Sequence, residues 1–265
     1  MSASSLRRSL GQIGLEIWLP ILLVAVWWFA SADSTSVYFP PLSKILASFA
    51  KDFLTPAGFA ANLLPSLGIL GAGYGFAVVA GIVIGLVLGL ARPIETATRP
   101  LLELLRAVPG VSLLPIFIVL FGIDAQMKIT LIAFGAFWPV LLNTIDGVRG
   151  IEPLLFDFSR SFRLGPVRRL GFVVLPGASP QIFAGARTAL AISLIIMVVG
   201  ETVGADGGLG YFLLNAQRNF ALSSMWGAIL ALGILGYFLN ILFRIIERIV
   251  LRWHRLQQAR LDAQR

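Results

Sequence analysis

The feature that most constrains this chain is the length of its uncharged stretches. No Asp, Glu, Lys or Arg occurs from Phe53 to Ala91, and none from Asn219 to Phe243. A hydrocarbon core about 30 Å thick is crossed by about 20 apolar residues in helical form, so each run can hold a membrane span with residues to spare. Reading the rest of the chain in the same way gives six expected spans. They lie at about Leu15 to Ala32, Ser66 to Leu90, Val108 to Ile123, Ile129 to Asp146, Ile182 to Val203, and within 219–243 continuing into Arg244. A helix satisfies its own backbone in lipid, whereas a barrel would show short alternating segments. The expected fold class is therefore an all-α polytopic membrane protein with six transmembrane helices. Residues 15–250 form the membrane domain, 1–14 a cytoplasmic tail and 251–265 a basic cytoplasmic tail. Composition agrees: 57% of residues are hydrophobic and 13% charged, against roughly 25% charged in a soluble domain.

The few charges are sorted by position. The chain carries 21 Lys+Arg against 13 Asp+Glu, a formal net charge of +8. With six spans, Lys44, Lys51, Lys128 and Arg218 fall on one side. The other seventeen basic residues share a side with both termini, the segment 91–106 and a long loop at about 149–187. Basic residues concentrate on the cytoplasmic side of membrane proteins, so both termini are expected in the cytoplasm. The excess charge then marks topology and a docking surface, not nucleic acid. Arg7, Arg8 and Ala30-Ser31-Ala32 imitate a cleavable secretory signal, but Trp27, Trp28 and Phe29 crowd the cleavage position, and the segment is read as a retained first span. With no Cys and a single His, His254, thiolate clusters, cysteine nucleophiles, histidine metal sites and a Ser-His-Asp triad are excluded. No cofactor is expected on this chain.

Polar residues within the spans are scarce. Glu201 stands fourteen residues after Arg187, about 21 Å further along a helix, in the outer part of the bilayer where a carboxylate needs water or a partner. Two readings stand: a pathway or gate residue, and a helix end wetted from outside. Ser193 is a candidate for the pathway or, with Asn240, for packing inside the bundle. Asn143, also a pathway candidate, sits with Asp146 at the cytoplasmic end of the fourth span, where Asp146 can pair with Arg149 at i+3 as an interface anchor. Gly81, Gly85 and Gly89 line one helix face and admit another backbone, within the subunit or at a dimer seam. The stretch 204–210 reads as a flexible outer turn.

The long loop is the most informative segment. Pro153 can open a short helix on which Leu154, Phe158 and Phe162 form one apolar stripe. Asp157 can pair with Arg160 at i+3, and Arg163 extends the polar side. Gly165-Pro166 stops this helix, Pro166 opens a second piece through Arg168 and Arg169, and Leu175-Pro176 with Pro180 ends it before the fifth span. By composition alone, such a stripe suits anionic headgroups or a groove on a cytoplasmic partner.

The run Asp157-Phe-Ser-Arg-Ser-Phe-Arg163, followed by Val174-Leu-Pro176 and Ala178-x-Pro180-x-Ile-x-x-Gly185-x-Arg187-x-Ala-Leu190, resembles the EAA loop of ABC-importer permeases. It is most similar to the branch importing nitrate, sulfonates, taurine and pyrimidine vitamin precursors. Arg106-Ala-Val-Pro109, Phe121-Gly122, Trp138-Pro139, Gly200-Glu201 and Gly207-Gly208-Leu-Gly210 agree, so the resemblance covers about residues 60–255. Within the motif, Asp157 stands at the usual Glu, Phe158 and Ser159 at the paired alanines, and Arg163 at the usual Gly. A glycine comes two residues late, at Gly165, so the first helix is expected to run further before turning.

The resemblance implies a type I importer permease in the bacterial inner membrane. Two copies would form the pathway for a small anionic solute of the sulfonate, taurine or nitrate class, or for a pyrimidine vitamin precursor. Two ATPase subunits would dock under the coupling loop, and an extracytoplasmic binding protein would deliver the solute. Leu154, Phe158 and Phe162 would anchor the ATPase; Asp157, Arg160 and Arg163 would set register by charge, with Gly165 at the turn. No G-x-x-x-x-G-K-[ST] occurs, so the chain is not expected to be an enzyme, and ATP hydrolysis is expected on a partner. An ATP-independent transporter or a structural membrane subunit is the alternative. The former predicts charged or broken mid-bilayer helices, usually in a repeat.

Overall fold

The computed structural model describes residues 18–253, which form helices and connecting turns without a strand. The tails and the start of the first expected span, with Arg7, Arg8 and His254, lie outside the described residues. Helix α1 covers Trp18–Ser31. It is followed by α2 (Leu42–Phe49), α3 (Pro56–Gly58), α4 (Leu64–Leu90), α5 (Arg92–Ala107), α6 (Leu114–Phe121), α7 (Ala125–Arg149) and α8 (Pro153–Ser161). The chain continues through α9 (Pro166–Arg169), α10 (Leu175–Glu201), α11 (Leu209–Arg218) and α12 (Leu222–Val250). Wide π turns fuse α3 to α4 and α9 to α10, giving rods of 35 residues (Pro56–Leu90) and 36 residues (Pro166–Glu201).

These two rods, α7 and α12 are long and apolar enough to cross a membrane, matching the second, fourth, fifth and sixth expected spans. The first is represented by the shorter apolar helix α1. The third is not straight: α5 and the Gly110–Phe121 segment meet at 81°. The break falls at Val108 and Pro109, and the segment 91–106, read from sequence as a connection, is the amphipathic helix α5. Its cause is local: Pro93 sits in the first turn, where its missing N–H costs nothing, and Arg99 pairs with Glu103 at i+4, 3.1 Å.

The core is a three-helix contact of α4, α7 and α10. A Cβ added at Gly73, Gly81, Gly85 or Gly89 would meet the Cβ of Ile132, Val140, Thr144 or Val148 at 2.6–2.7 Å. The offset between partners is 59 at every step, so α4 and α7 run parallel, with backbones as close as glycine permits. The glycine face is thus spent inside the subunit. On its other side α7 is antiparallel to α10: Gly147 lies against Ala178, Gly185 against Asn143 and Gly135 against Ile196.

Parallel neighbours require the intervening chain to return across the bundle, and α5–α6 does so. A Cβ added at Gly110, at the break, would lie 3.4 Å from the Cα of Gly135 in mid-α7, so the bend lies well inside the bundle. The ends of α4, α7 and α12 and the start of α10 gather at one end, called here the basic end; the start of α4 and the end of α10 meet α11 at the opposite end.

Two local expectations are corrected. The second loop piece does not stop at Leu175-Pro176 or Pro180: it runs through the π turn into α10. Pro176 falls in the first turn of α10, and the carbonyl that Pro180 cannot bond accepts the Ser179 hydroxyl at 2.7 Å. Asp146 does not pair with Arg149. It is exposed, and Arg149 instead reaches Glu95 on α5 at 2.5 Å.

Candidate functional site: the α8 loop and the buried network at the opposite end

At the basic end, α8 is held to the bundle by its inner side. Phe156 packs against the cluster of Val148, Ile151, Val174, Ala178 and Ile182, and Ser159 is buried, with its hydroxyl donating to the Phe156 carbonyl at 2.7 Å. Sequence reasoning missed Phe156 because it lies off the Leu154–Phe158–Phe162 stripe. That stripe faces outward: Leu154, Phe158 and Phe162 are 58%, 52% and 77% exposed. Asp157 and Arg160 form the expected i,i+3 pair at 3.5 Å, largely in solvent.

The end of α8 differs from expectation. The helix does not run on towards Gly165; it stops at Ser161, and Arg163 takes a left-handed conformation with φ of 50°. The Arg163 N–H donates to the Arg160 carbonyl and the Leu164 N–H to the Ser159 carbonyl, both at 2.9 Å. These are the paired bonds of a Schellman motif, whose left-handed position is usually glycine. Arg163 therefore performs a glycine's turn with a side chain attached. Gly165 is extended (φ −63°, ψ 162°) and serves as the N-cap position of α9.

The opposite end is organised around Glu201, which is fully buried. Its Oε2 accepts the Gly210 N–H in the first turn of α11 at 2.8 Å. Ser66 on α4 faces the same carboxylate and accepts the Leu209 N–H at 2.8 Å. Two N-terminal donors of α11 are thus satisfied by side chains from α10 and α4, as helix starts require. Gly208 makes this approach possible: its φ is 104°, and a Cβ there would lie 2.7 Å from the Glu201 carboxyl carbon. Oε1 has no hydrogen-bond partner among the described residues; the nearby charge of buried Lys128 opposes the cost of that burial. The 204–210 stretch is accordingly a turn that leads into a docked helix. The remaining candidates lie in the helix contacts: Ser193 is buried and donates to the Ala189 carbonyl (2.8 Å), and Asn143 donates to the Pro139 carbonyl (2.8 Å).

An outward apolar ridge on a short loop helix, set on a bundle with a broken span, is an arrangement that can be compared with known proteins. Residues 77–255 match the family described as binding-protein-dependent transport system inner membrane component. The chain belongs to that family. The permease is 30% identical over 238 residues to a putative aliphatic sulfonates transport permease of Bacillus subtilis (strain 168), covering 89% of this chain and 86% of that protein. It is 28% identical over 249 residues to the taurine transport system permease of Escherichia coli (strain K12), covering 92% and 90%. A nitrate import permease of Synechococcus elongatus is 29% identical over 244 residues, covering 88% and 87%. Among solved structures, an inward-facing methionine ABC transporter superposes with a TM-score of 0.63 at 24% identity, covering 71% of this chain and 94% of that one. This last likeness concerns the fold alone. The permease is thus a membrane-embedded subunit of an ABC importer, a class whose ATPase is a separate subunit and which works with a solute-binding protein.

Proposed function

We propose that two copies of this permease line the route of a small anion across the bacterial inner membrane, with both termini cytoplasmic, and that a pair of ATPase subunits drives it through the α8 ridge. The observation that carries this reading is a ridge with a foot: Leu154, Phe158 and Phe162 stand in solvent while Phe156 and Ser159 fix the same helix to α7 and α10. Burying one large apolar side chain contributes about 1.5–3 kcal/mol, so a groove on the ATPase that covers this ridge gains a firm hold. Force applied there reaches the membrane helices through Phe156. Asp157, Arg160 and Arg163 flank the ridge and select the partner by charge, and Gly165 separates α8 from α9.

The anionic solute is supported by the sulfonate, taurine and nitrate permeases among the relatives. It is supported too by α5, whose exposed Arg99 and Arg106 lie on the segment that leads to the mid-bundle break. In this reading the binding protein delivers at the α11 end, Glu201 holds the outer gate element α11 in place, and Ser193 and Asn143 keep the helix contacts behind the route. The double variant Phe158→Asp/Phe162→Asp, inserted stably in the membrane, is expected to lose co-purification with the ATPase and ATP-dependent uptake of taurine or nitrate. Retention of both activities would remove the docking role from α8.

A further inference from the structure

The basic end holds a cleft that shares Asp157 and Arg160 with the flank of the ridge but is otherwise outside the site described above. It has a volume of about 470 Å³ and lies between the last turns of α4 and α7, the start of α5, and the residues of α8 and α9 that border them. Four guanidinium groups line it, those of Arg92, Arg149, Arg160 and Arg169, against one lining carboxylate, Asp157. Arg149 is engaged by Glu95, and Arg160 by Asp157 at a long 3.5 Å. Arg92 and Arg169 have no ion pair among the described residues. In addition, Nε of Arg149 is buried and has no hydrogen-bond partner among the described residues. A buried donor normally has an acceptor, and this one belongs to a residue of the cleft wall.

Arginine offers only donors, in a planar fork that matches the oxygens of phosphate. Four such groups from four different elements, around a cleft with one carboxylate, form an acceptor-seeking pocket. Its position is at the ends of two spanning helices, and the exposed apolar side chain of Leu90 forms part of its wall. Basic pockets between spanning helices at this level take phosphate headgroups.

We propose that this cleft is a binding site for a phosphate group, presented by an anionic lipid headgroup or as free phosphate. One phosphate there bridges Arg92 at the start of α5, Arg149 at the end of α7, and Arg160 and Arg169 on α8 and α9. It thereby ties the loop helices to the membrane helices at the point where α8 is attached.

The test uses the purified full-length permease in a neutral detergent, titrated separately with phosphatidylglycerol, phosphatidylcholine and inorganic phosphate, with bound ligand read by native mass spectrometry. Phosphatidylglycerol binding in preference to phosphatidylcholine, weakened at least about ten-fold in Arg92→Gln/Arg169→Gln as charge-assisted bonds are lost, supports a lipid source. Inorganic phosphate that binds or competes with the same dependence on Arg92 and Arg169 supports the site with a soluble source. Arg168→Gln, a neighbouring charge that does not line the cleft, is expected to leave binding unchanged. Should the glutamine pair fail to insert, Arg92→Lys/Arg169→Lys keeps the charge, loses the fork, and is expected to bind several-fold more weakly than wild type. Binding that is insensitive to both pairs or lost equally in Arg168→Gln overturns the proposal, as does equal binding of the two lipids without inorganic phosphate binding that depends on Arg92 and Arg169.

Discussion

Replacing Arg163 by glycine isolates the cost of the turn that ends α8. Arg163 is held at φ 50° by two bonds, its own N–H to the Arg160 carbonyl and the Leu164 N–H to the Ser159 carbonyl. A left-handed conformation costs an L-residue roughly 1–2 kcal/mol, which glycine avoids. Glycine in turn loses more backbone freedom on ordering, by roughly 0.5–1 kcal/mol. The difference leaves a net gain of about 0.5–1 kcal/mol for the turn, or about a two- to five-fold smaller open population. Hydrogen exchange of the Arg163 and Leu164 amides in the detergent-solubilised permease reads that population directly, and both amides are expected to slow by that factor in Arg163→Gly. Arg163→Ala keeps a Cβ, hence the strain, and is expected to show no slowing. The reasoning fails if alanine slows exchange as much as glycine, because the gain would then come from removing the guanidinium and not from relieving the backbone.

Three further outcomes are expected. Gly85→Ala places a Cβ 2.6 Å from Thr144 Cβ, far inside the ~3.5–4.0 Å of a carbon contact, and is expected to cost about 1–3 kcal/mol by overpacking. Gly75→Ala, with nothing within 4 Å, is the neutral control, and equal denaturation midpoints for the two in mixed micelles would count against the α4–α7 contact. Glu201→Ala leaves the Gly210 N–H without its acceptor and is expected to cost about 1–3 kcal/mol; Ser66→Ala orphans the Leu209 N–H at a similar cost. Both are expected to speed proteolysis at 204–208, and an effect no larger than that of exposed Glu103→Ala would refute the network. Finally, spin labels on α7 and α10 are expected to keep one separation with and without ATP in the assembled importer, while labels on α5 and α7 change theirs; the reverse pattern would place the moving joint elsewhere.

The sequence disclosed what depends on mean hydropathy and little of what depends on distant partners. The spans around α4, α7, α10 and α12 were legible because a charge-free apolar run has few soluble alternatives. Helix α5 was not, because Arg92, Glu95, Arg99, Glu103 and Arg106 look like a loop to any apolar window, although Pro93 and the Arg99–Glu103 spacing were a signal for a helix. Arg149 pairs by i,i+3 spacing with Asp146 on the same helix when read from sequence, but its partner, Glu95, is 54 residues away and becomes adjacent only because α4 and α7 run parallel. The turn at Arg163 was missed for the opposite reason: the rule that a left-handed position wants glycine pointed to Gly165, and the two carbonyls at the end of α8 overrode it. Phe156 and Ser159, which hold α8 down, had no periodic signal apart from lying opposite the stripe that was read.

These corrections bear on where the bundle can yield. The α4–α7 contact has side-chain carbons sitting where a glycine Cβ would be, at four positions with one constant offset. Sliding either helix by one residue would drive Val140 or Thr144 into the neighbouring non-glycine positions, so shear along this contact is blocked by overlap. The α7–α10 contact has the same character, with the Pro139 carbonyl and Asn143 Cβ against Gly185. By contrast α5–α6 is interrupted by an 81° bend, with Pro100 inside α5, and its charged face is exposed except at Glu95, which is tied to Arg149 of α7. In the coupling proposed above, a push on α8 would pass through Phe156 into α7 and α10, which would respond as one body with α4. On that proposal the compliance for opening and closing a route would be left to the broken α5–α6 segment, the element whose polar face the apolar windows discarded.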